Sequence, residues 1–312
     1  MKIPLARGPI SAGLIALVAG GPPGDGTDAG ALAVSGLDAL VAERMSGVED
    51  LIDDDVQLAL FCLYELHYGG LDGVDDRWEW HPGLIGIRHR LEEPFEQWLR
   101  AEAAPVSASV RRPGQERPGS DGTAALLFEL AGRDGGPSVS RHVARKATEE
   151  QVREFLIHKS VYQLKEADPH TWAIPRLSGR AKAALVEIQA DEYGGGRPDR
   201  MHSAMFARTM AGTGLENSYG AYIDVVPAIS LASVNMMSLF GLNRRLRGAI
   251  AGHLAMYEMT SSRAQPAVRQ RVPPAGFRRR RHRVFRRACG GGRRPRTDRR
   301  EGPCRRARGK RT

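Results

Sequence analysis

The chain changes character at one point, and that point limits what can fold. Residues 1–262 mix apolar and charged residues as a folding protein does. Residues 263–312 are arginine, proline and glycine with almost nothing to bury. That tail holds 20 Lys and Arg against two acids, Asp298 and Glu301. The whole chain has 46 basic and 36 acidic residues, so residues 1–262 keep 26 basic and 34 acidic, a net charge of −8. The overall charge of +10 therefore describes the tail, and any core must come from the first 262 residues. A stretch of that length suffices for one large domain or two small ones.

Two readings of the tail compete. A basic arm would bind nucleic acid non-specifically through phosphates, with no need of a fold. The onset is abrupt, however, and the arginines are not interleaved with lysine, serine or aromatic residues. Such text is what a GC-rich gene gives when read out of frame. Permitted codons for residues 282–296, shifted by one nucleotide, can read Thr-Glu-Phe-Phe-Asp-Glu-His-Val-Glu-Ala-Asp-Ala-Val-His. That peptide is amphipathic and acidic. Its His-x3-Asp-x2-His spacing sets three ligand-type side chains on one helical face.

Apolar residues make up 41% of the chain, enough for a core. Of three cysteines, Cys289 and Cys304 lie in the tail, which leaves Cys62 alone and excludes a disulfide framework in residues 1–262. A reducing, cytoplasmic setting is the expectation. The apolar stretch 14–19 is too short for a signal peptide, and no run approaches the roughly 20 apolar residues of a membrane span.

Helical spacing covers 33–45, 56–68, 84–99 with an interruption at Pro94, and 124–131. Residues 1–30 read as irregular, 20–26 as flexible, 72–80 as a loop, and 105–122 as a linker. Thr148 with Gln151 forms a capping box, which starts a helix expected over 149–166 and stopped before Asp168-Pro169. Ser178 is placed to cap a helix running to Glu192, broken by Gly194, Gly195 and Gly196. Further helices are expected over 200–210, 227–240 and 243–259, the last two nearly continuous. Alternating Val and Ile are scarce, so the expected class is all-α. The expected organisation is a helical region over 1–140, a metal-binding helical region over 141–262, and the disordered tail 263–312.

Glu166, Glu192, His202 and Glu258 stand out as candidate metal ligands. Each lies on or beside an expected helix with apolar neighbours, where a carboxylate is costly unless paired or bound to metal. Carboxylates and imidazoles projecting inward from facing helices are how helical bundles hold non-haem iron. His67 and His81, near Glu65 and Glu79, form an alternative cluster, while His158 and His253 read as polar core or surface residues. No phosphate loop, dinucleotide fingerprint, nucleophile elbow or Cys-x-x-Cys occurs in residues 1–262.

Several segments carry a family resemblance: residues 155–160, residues 165–172, residues 187–196, His202, Gly252-His253-Leu254 and Glu258-Met259-Thr260. Over about 140–260 the chain resembles the actinobacterial iron-containing redox enzymes, which are haem-oxygenase-like diiron oxidases. The resemblance implies a haem-oxygenase-like helical bundle. It also implies two irons in intact relatives, dioxygen as co-substrate and a small organic substrate. Glu166, Glu192, His202 and Glu258 would be metal ligands, and Tyr162, Trp172 and Met259 would pack in the core or line the pocket. The family ends its ligand set with His-x3-Asp-x2-His on a last core helix, a pattern found here only in the shifted reading. The chain as written is therefore expected to bind metal weakly or as a single ion and to lack oxidase activity. A homodimer and no membrane association are further expectations. A nucleic-acid-binding helical protein using its basic tail, or a metal-free helical scaffold, are the competing readings.

Overall fold

The computed structural model describes residues 1–21, 28–46, 51–110, 119–133, 136 and 139–268; for 28–29, 120 and 261–268 only the helical backbone is described. Most of the tail, including residues 282–296, lies outside the described residues, as does most of the expected flexible stretch 20–26. Among the described residues the chain is helical and has no strand, as the scarcity of alternating Val and Ile predicts. The helices are α1 (Pro9–Ala19), α2 (Asp28–Ser46), α3 (Asp54–Glu65), α4 (Pro82–Val110), α5 (Ser120–Gly132) and α6 (Val139–Arg145). They continue with α7 (Glu149–Gln163), α8 (Asp168–Thr171), α9 (Gly179–Glu192), α10 (His202–Gly212), α11 (Ala228–Leu242) and α12 (Arg247–Val268). The last helix thus runs past the change in composition. Among the described residues no helix is long and apolar enough to cross a membrane.

The core is organised around α3. Every residue from Asp55 to Glu65 is buried, so this helix has no solvent face. It packs against α1, α4 and α11, and α11 in turn meets α7, α8 and α12. One polar contact inside this packing joins α11 to α3. Asn235 on α11 donates to the Gln57 backbone oxygen at 2.8 Å and to Gln57 Oε1 at 2.9 Å. The α8 backbone comes so close to α11 that a Cβ at Gly241 would lie 2.7 Å from the Pro169 oxygen. Arg176 caps the same end of α11 by donating to the Gly241 and Leu242 carbonyls, which have no intrahelical partner. Cys62 is free and buried, and burial pushes its thiol far above the ordinary range. Such a thiol is inert.

Several sequence expectations need correction. Residues 9–19 are not irregular but form α1. Its first amides, Ile10 N and Ser11 N, donate to Asp55 at 2.9 and 2.7 Å, so its N-terminal cap comes from α3 and is invisible locally. Pro94 does not interrupt α4, which runs through both Pro94 and Pro105. An interior proline costs about 3 kcal/mol. Burying Leu84, Ile87, Leu91 and Phe95 outweighs this at roughly 1.5–3 kcal/mol each. Residues 105–110 therefore belong to a helix, and α5 takes up 120–122 of the expected linker. The helix expected over 149–166 stops at Gln163, with its capping box formed as expected at Thr148 and Gln151. An extended Asn243 separates α11 from the turn that leads into α12.

Candidate metal centre

Early termination of α7 puts Glu166 on a turn rather than a helix. Ala167, the next residue, has φ 82°, a left-handed conformation costing roughly 1–2 kcal/mol for a residue with a side chain. The turn is held from both sides. Gln189 Nε2 on α9 donates to the Ala167 oxygen at 2.9 Å and to Thr171 Oγ1 at 2.6 Å. Tyr193 donates to Asp168 Oδ1 at 2.7 Å and lies 2.9 Å from Thr171 Oγ1. Gln189 and Tyr193 flank Glu192, while Ala167 and Asp168 follow Glu166. These bonds therefore stitch the two glutamates' backbones together.

Glu192 closes α9 and His202 opens α10. Between them Gly194, Gly195 and Gly196 all have positive φ. At Gly194 a Cβ would stand 2.6–2.7 Å from the backbone of Arg197, Arg200 and Met201. Only glycine permits so tight a return, and the return brings His202 back to Glu192.

Oxygen and nitrogen atoms of Glu166, Glu192 and His202 lie within 4.8 Å of one another. His202 Nδ1 is 2.6 Å from Glu192 Oε2 and 4.0 Å from Glu166 Oε2. The close contact is an ion pair once the imidazole is protonated, and buried Glu192 Oε2 meets no well-aligned hydrogen-bond donor. Gln163 Nε2 donates to Glu166 Oε1 at 2.9 Å. Burial, then the charge of Glu192, push the Glu166 carboxyl up to about 7, and Glu258 adds to the rise. Burial opposes charge on His202, yet the carboxylates of Glu192, Glu166 and Asp191 pull it up to about 9.

Glu258 stands on α12, half-buried and near enough to act on Glu166, but outside the three-residue group. Tyr162 and Met259 are buried and Trp172 is half-buried. Tyr162 packs edge-on against His170 and Tyr257. His253 pairs with His170 at 3.1 Å. The alternative cluster does not assemble: Glu65 binds Lys165, His67 contacts Arg88 and Glu79, and His81 packs on Trp78. Sequence reasoning missed Gln163, Gln189 and Tyr193 as supporting residues. Gln163, three residues before Glu166, had a helical-spacing signal; Gln189 reaches across from another element and had none.

An all-α bundle with two carboxylates and an imidazole converging between helix ends defines the class. A family model described as iron-containing redox enzyme matches residues 153–286, a span that contains Glu166, Glu192, His202 and Glu258. Through that region the chain is similar to the iron-containing redox enzymes, and its all-α fold agrees with the haem-oxygenase-like bundle that the resemblance implies. Nitrosourea synthase of Streptomyces achromogenes subsp. streptozoticus is 31% identical over 114 residues. That alignment covers 36% of this chain and 24% of the relative, so the chain spans about a quarter of that protein's length.

Proposed function

We propose that Glu166, Glu192 and His202, with Glu258 beside them, hold iron. With its full ligand set such a protein would serve as a non-haem oxidase or oxygenase acting on a small organic substrate. The convergence of the three donor groups supports this most directly. A divalent transition metal binds such ligands at about 2.0–2.2 Å, so donors on one ion stand at most about 4.4 Å apart, and the His202 distances of 2.6 Å to Glu192 and 4.0 Å to Glu166 fall within that span. Glu192 Oε2, buried without a well-aligned hydrogen-bond donor, fits a ligand atom. Two carboxylates would neutralise the ion, and carboxylate with imidazole suits iron.

When bound, iron would supply dioxygen activation. The chain's own contribution is positional and electrostatic. Gln163 orients Glu166, the Gln189 and Tyr193 bonds fix the spacing of the glutamates, and the glycine return delivers His202. Glu166 ionises only near neutral pH, so a bound cation would replace a proton there. The name of the relative favours a nitrogen-bearing substrate.

We read residues 263–312 as out of frame, with a second set of ligands in the shifted reading. The family match extends into this segment and ends at residue 286. On this reading the 312-residue protein binds one ferrous ion weakly and lacks oxidase activity. Sequencing the gene across codons 260–300 tests the frame. Metal analysis and ferrous titration of the purified protein test the site. The expected result is at most one iron per chain, lost in His202→Ala. Two tightly bound irons would overturn the incomplete-site reading, and iron binding that survives His202→Ala would overturn the site itself.

A further inference from the structure

We propose that the buried Glu65–Lys165 ion pair positions Glu166 for metal binding, which makes α3 a working part of the metal centre. This rests on the metal reading above and extends it to a helix outside the matched region. Glu65 lies on α3, whereas the family match begins at residue 153.

Glu166 has no helix of its own to hold it. It sits between the end of α7 and the left-handed Ala167, on a backbone that favours other conformations. The anchor on its C-terminal side is the Gln189 bond to the Ala167 oxygen. On its N-terminal side the anchor is Lys165. That side chain is 5% exposed and its Nζ donates to Glu65 Oε1, on a side chain with 0% exposure. Tyr219 donates to the same oxygen at 2.9 Å. Three rings surround the ammonium, with centroids 4.3 Å away for Tyr68, 5.2 Å for Phe61 and 5.5 Å for Tyr219. Such contacts favour a cation over a neutral group.

A buried ion pair is weak evidence for stability, because apolar residues of similar volume often do as well or better. Its stronger effect is geometric. Lys165 reaches its one buried acceptor only from a narrow range of backbone positions, and the next residue is the ligand. Ligands need to be held within a fraction of an ångström, and supporting residues supply that precision. The pair thus fixes where the turn stands against α3, and Gln189 fixes it against α9.

Cobalt(II) titration of the full chain, followed by visible absorption, tests this. Glu65→Gln and Lys165→Met should each weaken cobalt affinity at least tenfold and alter the ligand-field bands. The double variant Glu65→Leu/Lys165→Met removes both charges, and its thermal midpoint should return close to the parent value. Its cobalt affinity should stay weak. A merely structural pair predicts the opposite: the double variant would recover affinity together with stability. The proposal is overturned if the folded double variant binds cobalt with parental affinity and spectrum, even where the single variants fail to fold. A parent that binds no cobalt, or binds it equally well as His202→Ala, overturns the metal reading itself and this inference with it.

Discussion

Glu92 on α4 and Glu192 on α9 are both carboxylates at helix-packing positions, and the fold treats them differently. Glu92 is 1% exposed and both its oxygens are engaged. Tyr64 donates to Oε1 at 3.0 Å, Arg88 stands 3.4 Å from the same atom, and Asn243 donates to Oε2 at 3.2 Å. Glu96, one turn on, is held by Arg100 and Arg245, which outweigh burial and keep its carboxyl below the usual range. Glu192 instead faces a second carboxylate and an imidazole, with no well-aligned hydrogen-bond donor to its Oε2. Charge is balanced within the N-terminal core. At the centre the balance rests on protons, one drawn onto His202 by Glu192 and one retained by Glu166 up to about pH 7, and these are what a bound cation would displace.

The largest effects should separate these two regions. Glu92→Leu leaves Arg88 buried without its acid, and is expected to remove about 3–5 kcal/mol of stability. Glu166→Gln relieves repulsion from Glu192, so the metal-free protein should be as stable as the parent or more stable by about 1 kcal/mol. Urea midpoints at pH 7.5 compare the two. Equal losses would mean that the centre's acids are structural after all. In the presence of cobalt the order should reverse, with affinity falling for Glu166→Gln alone.

A second contrast is in pH. Burial and its neighbour His253 push His170 down to about 3, and burial pushes His253 down to about 4. Tyr162 from α7 and Tyr257 from α12 face them, and burial raises both phenols, so neither adds charge in the acid range. Unfolded histidine titrates near 6.5. Below that pH the unfolded chain takes up a proton at each of these two positions, which the folded one refuses. The contribution of this pair should hold above pH 6.5 and fall by about 2–3 kcal/mol per unit as pH drops toward 4. His253→Asn should remove roughly half of that slope. Denaturation series at pH 7, 6 and 5 would show it, and an unchanged slope in the variant would locate the acid sensitivity elsewhere.

Gly194→Ala probes the path between Glu192 and His202. With φ 65° and backbone atoms 2.6–2.7 Å from the added carbon, the substitution forces the return open. A stability loss of about 1–3 kcal/mol is expected, with a larger proportional loss of cobalt affinity. An equivalent change at Gly195, where a Cβ meets nothing within 4 Å, should cost less.

What the sequence could tell follows from how local each cause is. The all-α class, the capping box at Thr148 and the break at Gly194–Gly196 depend on neighbours along the chain, and all are present. Glu166, Glu192 and His202 were legible as costly carboxylates and an imidazole near helix ends, and the family resemblance fixed their order. The turn that carries Glu166 was not legible. The apolar spacing continues past Gln163, and what ends α7's influence is a set of bonds from Gln189, Tyr193 and Glu65, far away in sequence. The cap of α1 by Asp55 and the passage of α4 through Pro94 are non-local in the same way.

The smallest predicted effect tests that same distinction between local signal and realised contact. Thr148 and Ser178 both precede helices and both read as caps. Thr148 Oγ1 accepts from Gln151 N at 3.3 Å, and Gln151 Oε1 accepts from Thr148 N at 3.0 Å. Ser178 makes no side-chain cap bond, because Gly179 begins α9 in a left-handed conformation, φ 55°, that turns the chain before the helix starts. Thr148→Ala should therefore cost about 1 kcal/mol, and Ser178→Ala within about 0.3 kcal/mol of nothing. Thermal midpoints of the two variants decide it. Equal losses would mean that Ser178 caps α9 in solution, and that α9, which ends in Glu192, is secured at both ends rather than only where it meets the Glu166 turn.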